Sequence, residues 1–130
     1  MVAALVIVCV FAIKGVIDKR AERKRQVEYQ SMLNEYTIAL KSGMTRHDVE
    51  SYLKARNRGF RRMCCVGLRR TAYADLVRIG KEQAPWYCSE NNVYVAFEFE
   101  TTEPHGIIAD SRDSDRLVSM ALFPWLEQCL

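Results

Sequence analysis

The sequence predicts an α+β fold in which an N-terminal transmembrane helix precedes two helices packed on a three-stranded antiparallel sheet. Three observations carry this expectation. Residues 1–17 form an apolar run interrupted only by Lys14. Between Tyr29 and Leu40, apolar residues recur at spacings of three and four. Farther along, Val93, Val95, Phe97 and Phe99 alternate with Tyr94, Ala96, Glu98 and Glu100, the period of a strand with one buried face. The 130 residues are 49% hydrophobic and 27% charged, with 3 Pro and 6 Gly, which suits one small domain and excludes collagen-like or low-complexity chains.

From Met1 to Ile13 every residue is apolar, and Gly15, Val16 and Ile17 resume the run after Lys14. At ~1.5 Å per helical residue, 17 residues lie at the short end of what crosses a bilayer core. Lys14 near the end of the run can extend its ammonium to the headgroups. No basic residue precedes the block and no small-x-small cleavage site follows it, so an uncleaved anchor over residues 1–17 is expected in place of a removed signal. Val8 stands where a lipoprotein signal needs Gly or Ala, which leaves Cys9 as a small apolar residue.

The domain proper is then residues 18–130. Tyr29, Met32, Leu33, Tyr36 and Leu40 place one apolar stripe on a helix of about residues 20–41, ended by Ser42-Gly43. Thr45 follows as an N-cap with Asp48 three positions on, and Met44 can staple onto Val49, so a second helix covers about residues 46–56. Val49, Tyr52 and Leu53 give it a buried side. Strands are expected at about 73–81, 93–100 and 117–123, the last ended by Pro124. The segment 101–115, with Pro104, Gly106 and several acids, reads as a long loop.

Charge is unevenly divided. Residues 1–70 hold 15 basic and 6 acidic residues, against 4 and 10 in residues 71–130. Lys14, Lys19, Arg20, Arg23, Lys24 and Arg25 all follow the apolar run, and by the positive-inside rule they keep the domain in the cytoplasm. From Lys54 to Arg70 there are seven basic residues and no acid, without a clean period. A cytoplasm-facing membrane protein would use these stretches, 14–25 and 54–70, to bind anionic lipid or nucleic acid. Nucleic acid is the weaker choice, because no aromatic stacking set accompanies the charge.

The cysteines argue for the opposite orientation. Of the five, Cys9 lies in the apolar run and no CxxC occurs among the others. Pairing Val93 with Phe123 and Phe99 with Leu117 puts Cys88 and Cys129 past the same end of two neighbouring strands, which makes them a candidate disulfide. Such a bridge closes a loop of about 40 residues, contributes roughly 3 to 4 kcal/mol and forms in an oxidising compartment. The expected location is therefore the inner membrane with the domain outside the cytoplasm. Cys64 and Cys65 remain unassigned.

No catalytic, cofactor or metal site is expected. His47 and His105 are the only histidines, and no nucleophile motif surrounds either. A thiol nucleophile at Cys64 or Cys65 would need a histidine beside it. Asp110, Asp113 and Asp115 lack the alternation and glycine of a calcium loop. Trp86, Tyr87 and Trp125 flank the candidate disulfide and read as cover for the core edge. What remains is a candidate partner-binding face of Tyr94, Glu98 and Glu100, on one side of the best-defined strand.

The stretch Leu40-Lys41-Ser42-Gly43-Met44-Thr45-Arg46-His47-Asp48-Val49-Glu50-Ser51-Tyr52-Leu53 resembles the helix-turn-helix signature of the SmpA/OmlA outer-membrane assembly lipoproteins and of beta-lactamase-inhibitor-protein-like domains. Gly43, Thr45, Val49 and Leu53 carry the match. The resemblance implies two helices ahead of a three-stranded antiparallel sheet. It also implies a small module of the bacterial cell envelope that binds other proteins, or supports envelope integrity, without catalysis. The functional expectation is a membrane-anchored, non-enzymatic protein-binding module, with the membrane contacted through residues 1–17, a protein as partner and no small-molecule substrate.

Overall fold

The apolar stripe that starts at Tyr29 is where the first helix meets the sheet. The computed structural model describes residues 2–66, 73–100 and 111–130. Helix α1 (Val2–Ala39) is one continuous helix that takes in both the expected anchor and the expected first helix of the domain. Tyr29, Tyr36 and Leu40 are buried, with Met32 and Leu33 half-buried beside them. Residues 3–24 are all exposed and form an arm roughly 33 Å long at ~1.5 Å per residue.

Among the described residues, no helix is long and apolar enough to cross a membrane. This corrects two expectations: the transmembrane anchor at 1–17 and the single-pass location. The uninterrupted apolar run Val2–Ile13 rises only ~18 Å as a helix, short of the ~30 Å hydrocarbon core. Lys14, Asp18 and Lys19 arrive before a span is complete.

Helix α2 (Arg46–Ala55) begins where Gly43, at φ +91°, turns the chain and Thr45 Oγ1 accepts a hydrogen bond from the Asp48 N–H at 3.2 Å. A four-stranded antiparallel sheet follows: β1 (Arg61–Cys64), β2 (Tyr73–Glu82), β3 (Cys88–Glu100) and β4 (Arg116–Cys129), adjacent in that order. The expected sheet of three strands is thereby corrected to four. Strand β1 has only four residues at the sheet edge and two of them are exposed arginines, so it shows no apolar alternation. Strand β4 also runs on through Pro124, because an edge strand tolerates a proline whose missing N–H faces away from the ladder.

Both helices pack on one face of the sheet. Tyr36, Leu40, Val49 and Leu53 close there over Val77, Val95, Phe97, Phe99 and Leu117. A smaller cluster of Ala74, Leu76, Tyr94 and Ala96, with Met63, Val66, Phe123 and Trp125 against it, lies on the opposite face and includes no helical residue. On the helix side β2 makes a register shift between Arg78 and Gly80, and Gly80 sits directly under Tyr29. A Cβ at Gly80 would stand 2.3 Å from Tyr29 Cε1, so the glycine is what lets α1 approach.

The β3–β4 register differs from expectation by one residue over most of its length. Tyr94, not Val93, faces Phe123, while Phe99 does face Leu117. An irregularity between Glu98 and Phe99 leaves Val118 without a partner and reconciles the two halves. Cys88 and Cys129 are direct partners in the ladder.

Candidate partner-binding site

Apart from the Arg25–Glu82 pair that holds α1, two networks of charged residues lie on the sheet, one on each face. On the helix face, the N-cap at Thr45 fixes Arg46 as the first residue of α2, and its side chain enters the core. Its Nη1 donates to Asp75 Oδ1 at 2.6 Å, and Nη2 donates to the Tyr73 carbonyl at 2.9 Å and to Asp115 Oδ2 at 3.4 Å. The guanidinium lies 4.1 Å from the centre of the Phe99 ring. Beside it, Arg62 on β1 grips both oxygens of Glu50 at 2.7 and 2.9 Å and reaches Asp113 at 2.8 Å. The Arg46 and His47 N–H groups donate to the carbonyls of Asp115 and Asp113, so the 111–115 segment caps α2.

Burial pushes the Asp75 carboxyl up to about 7, with Arg46 pulling against it and Glu50 adding to the rise. Burial raises Glu50 too, but donation from Arg62, the contact with Asp75 and the charges of Arg62 and Arg46 together outweigh it and hold Glu50 below the ordinary carboxylate range. Asp75 Oδ2, Asp115 Oδ1 and Arg46 Nε have no hydrogen-bond partner among the described residues. This network closes α2 onto the sheet: Arg46 and Asp75 are sealed from solvent, while Arg62 and Asp113 remain exposed at its edge.

The outer face is different. It carries Arg61 and Met63 of β1, Ala74, Leu76 and Arg78 of β2, and the even-numbered residues of β3, with Ala121, Phe123, Trp125 and Glu127 of β4 opposite them. Tyr94 is central. Its hydroxyl donates to Glu127 Oε2 at 2.6 Å and accepts from Arg61 Nη2 at 2.8 Å. Arg61 also donates to Glu127 Oε1 at 3.0 Å, and its guanidinium lies 5.6 and 5.8 Å from the ring centres of Tyr94 and Trp125. Asn92 Nδ2 donates to both Glu90 and Glu127. Burial raises the Glu127 carboxyl, but donors from Tyr94, Asn92 and Arg61 together bring it below the ordinary range. Arg61, Glu90, Asn92, Tyr94 and Glu127 line an open cleft of about 450 Å³.

Of the residues expected to form a partner-binding face, Tyr94 and Glu98 share the outer face but are buried, and Glu98 accepts from Ser119 Oγ at 3.0 Å. Glu100 is exposed at the strand end, opposite Arg116. The structure instead groups Tyr94 with Arg61, Asn92, Trp125 and Glu127, none of which belonged to the expected face. Trp86 and Tyr87 stack edge to face on each other and both are exposed. Cys88 and Cys129 are joined in a disulfide, and so are the adjacent Cys64 and Cys65; Cys9 is free and exposed on the arm.

Asp113 and Asp115 are drawn to arginines, not to each other. Among the described residues, no group of three or more His, Cys, Asp or Glu side chains is placed to hold a metal. Asp110, His105 and the rest of residues 101–110 lie outside the described residues, as do Arg69 and Arg70 in the second basic stretch. In the remainder of that stretch, Arg61 and Arg62 are ion-paired, and Arg56 lies 3.7 Å from the centre of the Tyr52 ring. In the first basic stretch only Arg25 reaches the domain, gripping Glu82 with two bonds of 2.9 Å. No protein-family model, no curated protein and no solved structure matches the chain.

Proposed function

We propose that the chain is a non-enzymatic protein-binding module and that the outer face of its sheet receives the partner. The observation that carries this reading is the make-up of that face. Tyr94, Phe123 and Trp125 stand around the small residues Ala74, Ala96 and Ala121, with a hydrogen-bonded polar network at one end and no described helix packed over them. Aromatic residues and arginine with a polar margin are the usual composition of the centre of a protein interface. The resemblance of residues 40–53 to envelope lipoproteins supports the same class of function. So does the helix-face network, whose acids and bases are engaged with one another beneath α2.

A photo-crosslinking residue at position 123, on the outer face, tests this against the same residue at position 30, exposed on α1. A discrete protein adduct at position 123 that excess unlabelled chain suppresses, with none at position 30, is the expected result. No adduct at 123, or equal labelling at both positions, would refute it.

A further inference from the structure

We infer that the Glu127 end of the outer-face cleft receives a basic side chain, lysine or arginine, from the partner protein. The inference rests on the reading of the outer face as a docking surface and adds the chemistry of what docks there.

The first observation is an orphan acceptor. Asn92 lines the cleft, is 1% exposed, and gives its amide N–H groups to Glu90 and Glu127 while its Oδ1 accepts nothing among the described residues. A buried carbonyl oxygen without a donor gives up its hydration with nothing in return, so such groups are rare unless something else completes them. The second is an imbalance of charge. Two carboxylates converge on the one Asn92 amide, yet only Glu127 is matched by a cation, Arg61. Glu90 is half-buried and has no cationic partner among the described residues.

The third observation is that the site already tolerates a cation. Arg61 lies against the Tyr94 and Trp125 rings while donating to Glu127, and its side chain is still 53% exposed. What Glu90 and Asn92 Oδ1 lack, among the described residues, is a cationic group that donates several N–H bonds to them. Lysine and arginine side chains have that chemistry; acidic and aliphatic ones do not. Arg78, opposite Tyr94 in the ladder, also lines the cleft, but it is exposed and among the described residues bonds neither Glu90 nor Asn92 Oδ1.

The test uses the full-length chain, isotopically labelled, and three blocked tripeptides: acetyl-Ala-Lys-Ala-amide and its norleucine and glutamate counterparts. The lysine peptide is expected to shift the Asn92 side-chain amide and Trp125 indole resonances saturably, on the order of 1 mM, and the other two are not. Glu90→Gln, which keeps an acceptor for Asn92, should weaken the lysine peptide at least ~5-fold, about 1 kcal/mol. Arg78→Gln should leave binding unchanged or slightly tighter. Equal shifts from lysine and norleucine, saturation by the glutamate peptide, or no effect of Glu90→Gln would overturn the inference. If position 123 captures a partner while the lysine peptide does nothing, only the basic-side-chain inference falls. If the peptide binds and position 123 captures nothing, the docking reading falls.

Discussion

Each face of the sheet holds an arginine set between carboxylates and an aromatic ring, and the two arginines have opposite surroundings. Arg46 on the helix face is 1% exposed and its partner Asp75 is fully buried, whereas Arg61 on the outer face is 53% exposed against Glu127. Both make short hydrogen bonds, so geometry alone does not separate them. Solvent does. A buried pair loses its hydration on folding and leaves a stranded charge when one member is removed; an exposed pair exchanges protein contacts for water at little net cost. The helix face is thus committed to holding α2 on the sheet, while the outer face can give up its internal contacts to a partner.

Removing the arginines one at a time is the most direct way to break the comparison. Arg46→Met should cost roughly 3–5 kcal/mol in denaturant unfolding. The cost should be greater at pH 8 than at pH 5, because Asp75 can then no longer neutralise itself by holding a proton. Replacing both Cys88 and Cys129 with Ser should cost roughly 3 to 4 kcal/mol, since the bridge joins the two longest strands across a sequence separation of 41. An unchanged denaturation midpoint under reducing conditions would contradict this.

The pH dependence sharpens the contrast further. The folded Asp75 carboxyl keeps its proton up to about 7, well above the unfolded value. Folding therefore takes up a proton between roughly pH 4 and 7, and stability falls as pH rises through that window, by at most ~1.4 kcal/mol per unit. Glu50, Glu82 and Glu127 are shifted the other way, so their contributions are lost as pH falls below about 4. Melting temperature should peak near pH 5, and Asp75→Asn should flatten the decline toward pH 8. The smallest effect is expected from Arg61→Ala, under ~1 kcal/mol in salt-containing buffer. A loss comparable to that of Arg46→Met would erase the distinction between the faces.

What could be read in the sequence follows from periodicity. The stripe on α1 and the alternation on β3 are visible because each element buries one regular face, and Thr45 with Asp48 is visible because a cap is a local event. Strand β1 has no such signature: it is short, basic and at an edge. The burial of Arg46 is equally hidden in its own neighbourhood, since Arg46 looks like any charged first-turn residue. The only hint lies in β2, where Asp75 interrupts Ala74, Leu76 and Val77 and stands on the same side as Val77, so a buried acid there calls for a cation from elsewhere. The outer-face site escaped because its members come from three strands whose register depends on two irregularities. A one-residue slip moves Phe123 from Tyr94 to Val93 and dissolves the site.

The arm of α1 also has a mechanical consequence. The helix contains no proline, and its one glycine, Gly15, stays helical, so it has no ready hinge along its length. Where it reaches the domain it is held twice, by the paired bonds of Arg25 to Glu82 and by Tyr29 wedged over Gly80. A load applied anywhere on the exposed arm is therefore not absorbed locally. It is delivered as torque to the end of β2 and, through the β2–β3 ladder, to the strands that the Cys88–Cys129 bridge ties together, which makes α1 a lever with its fulcrum at Gly80.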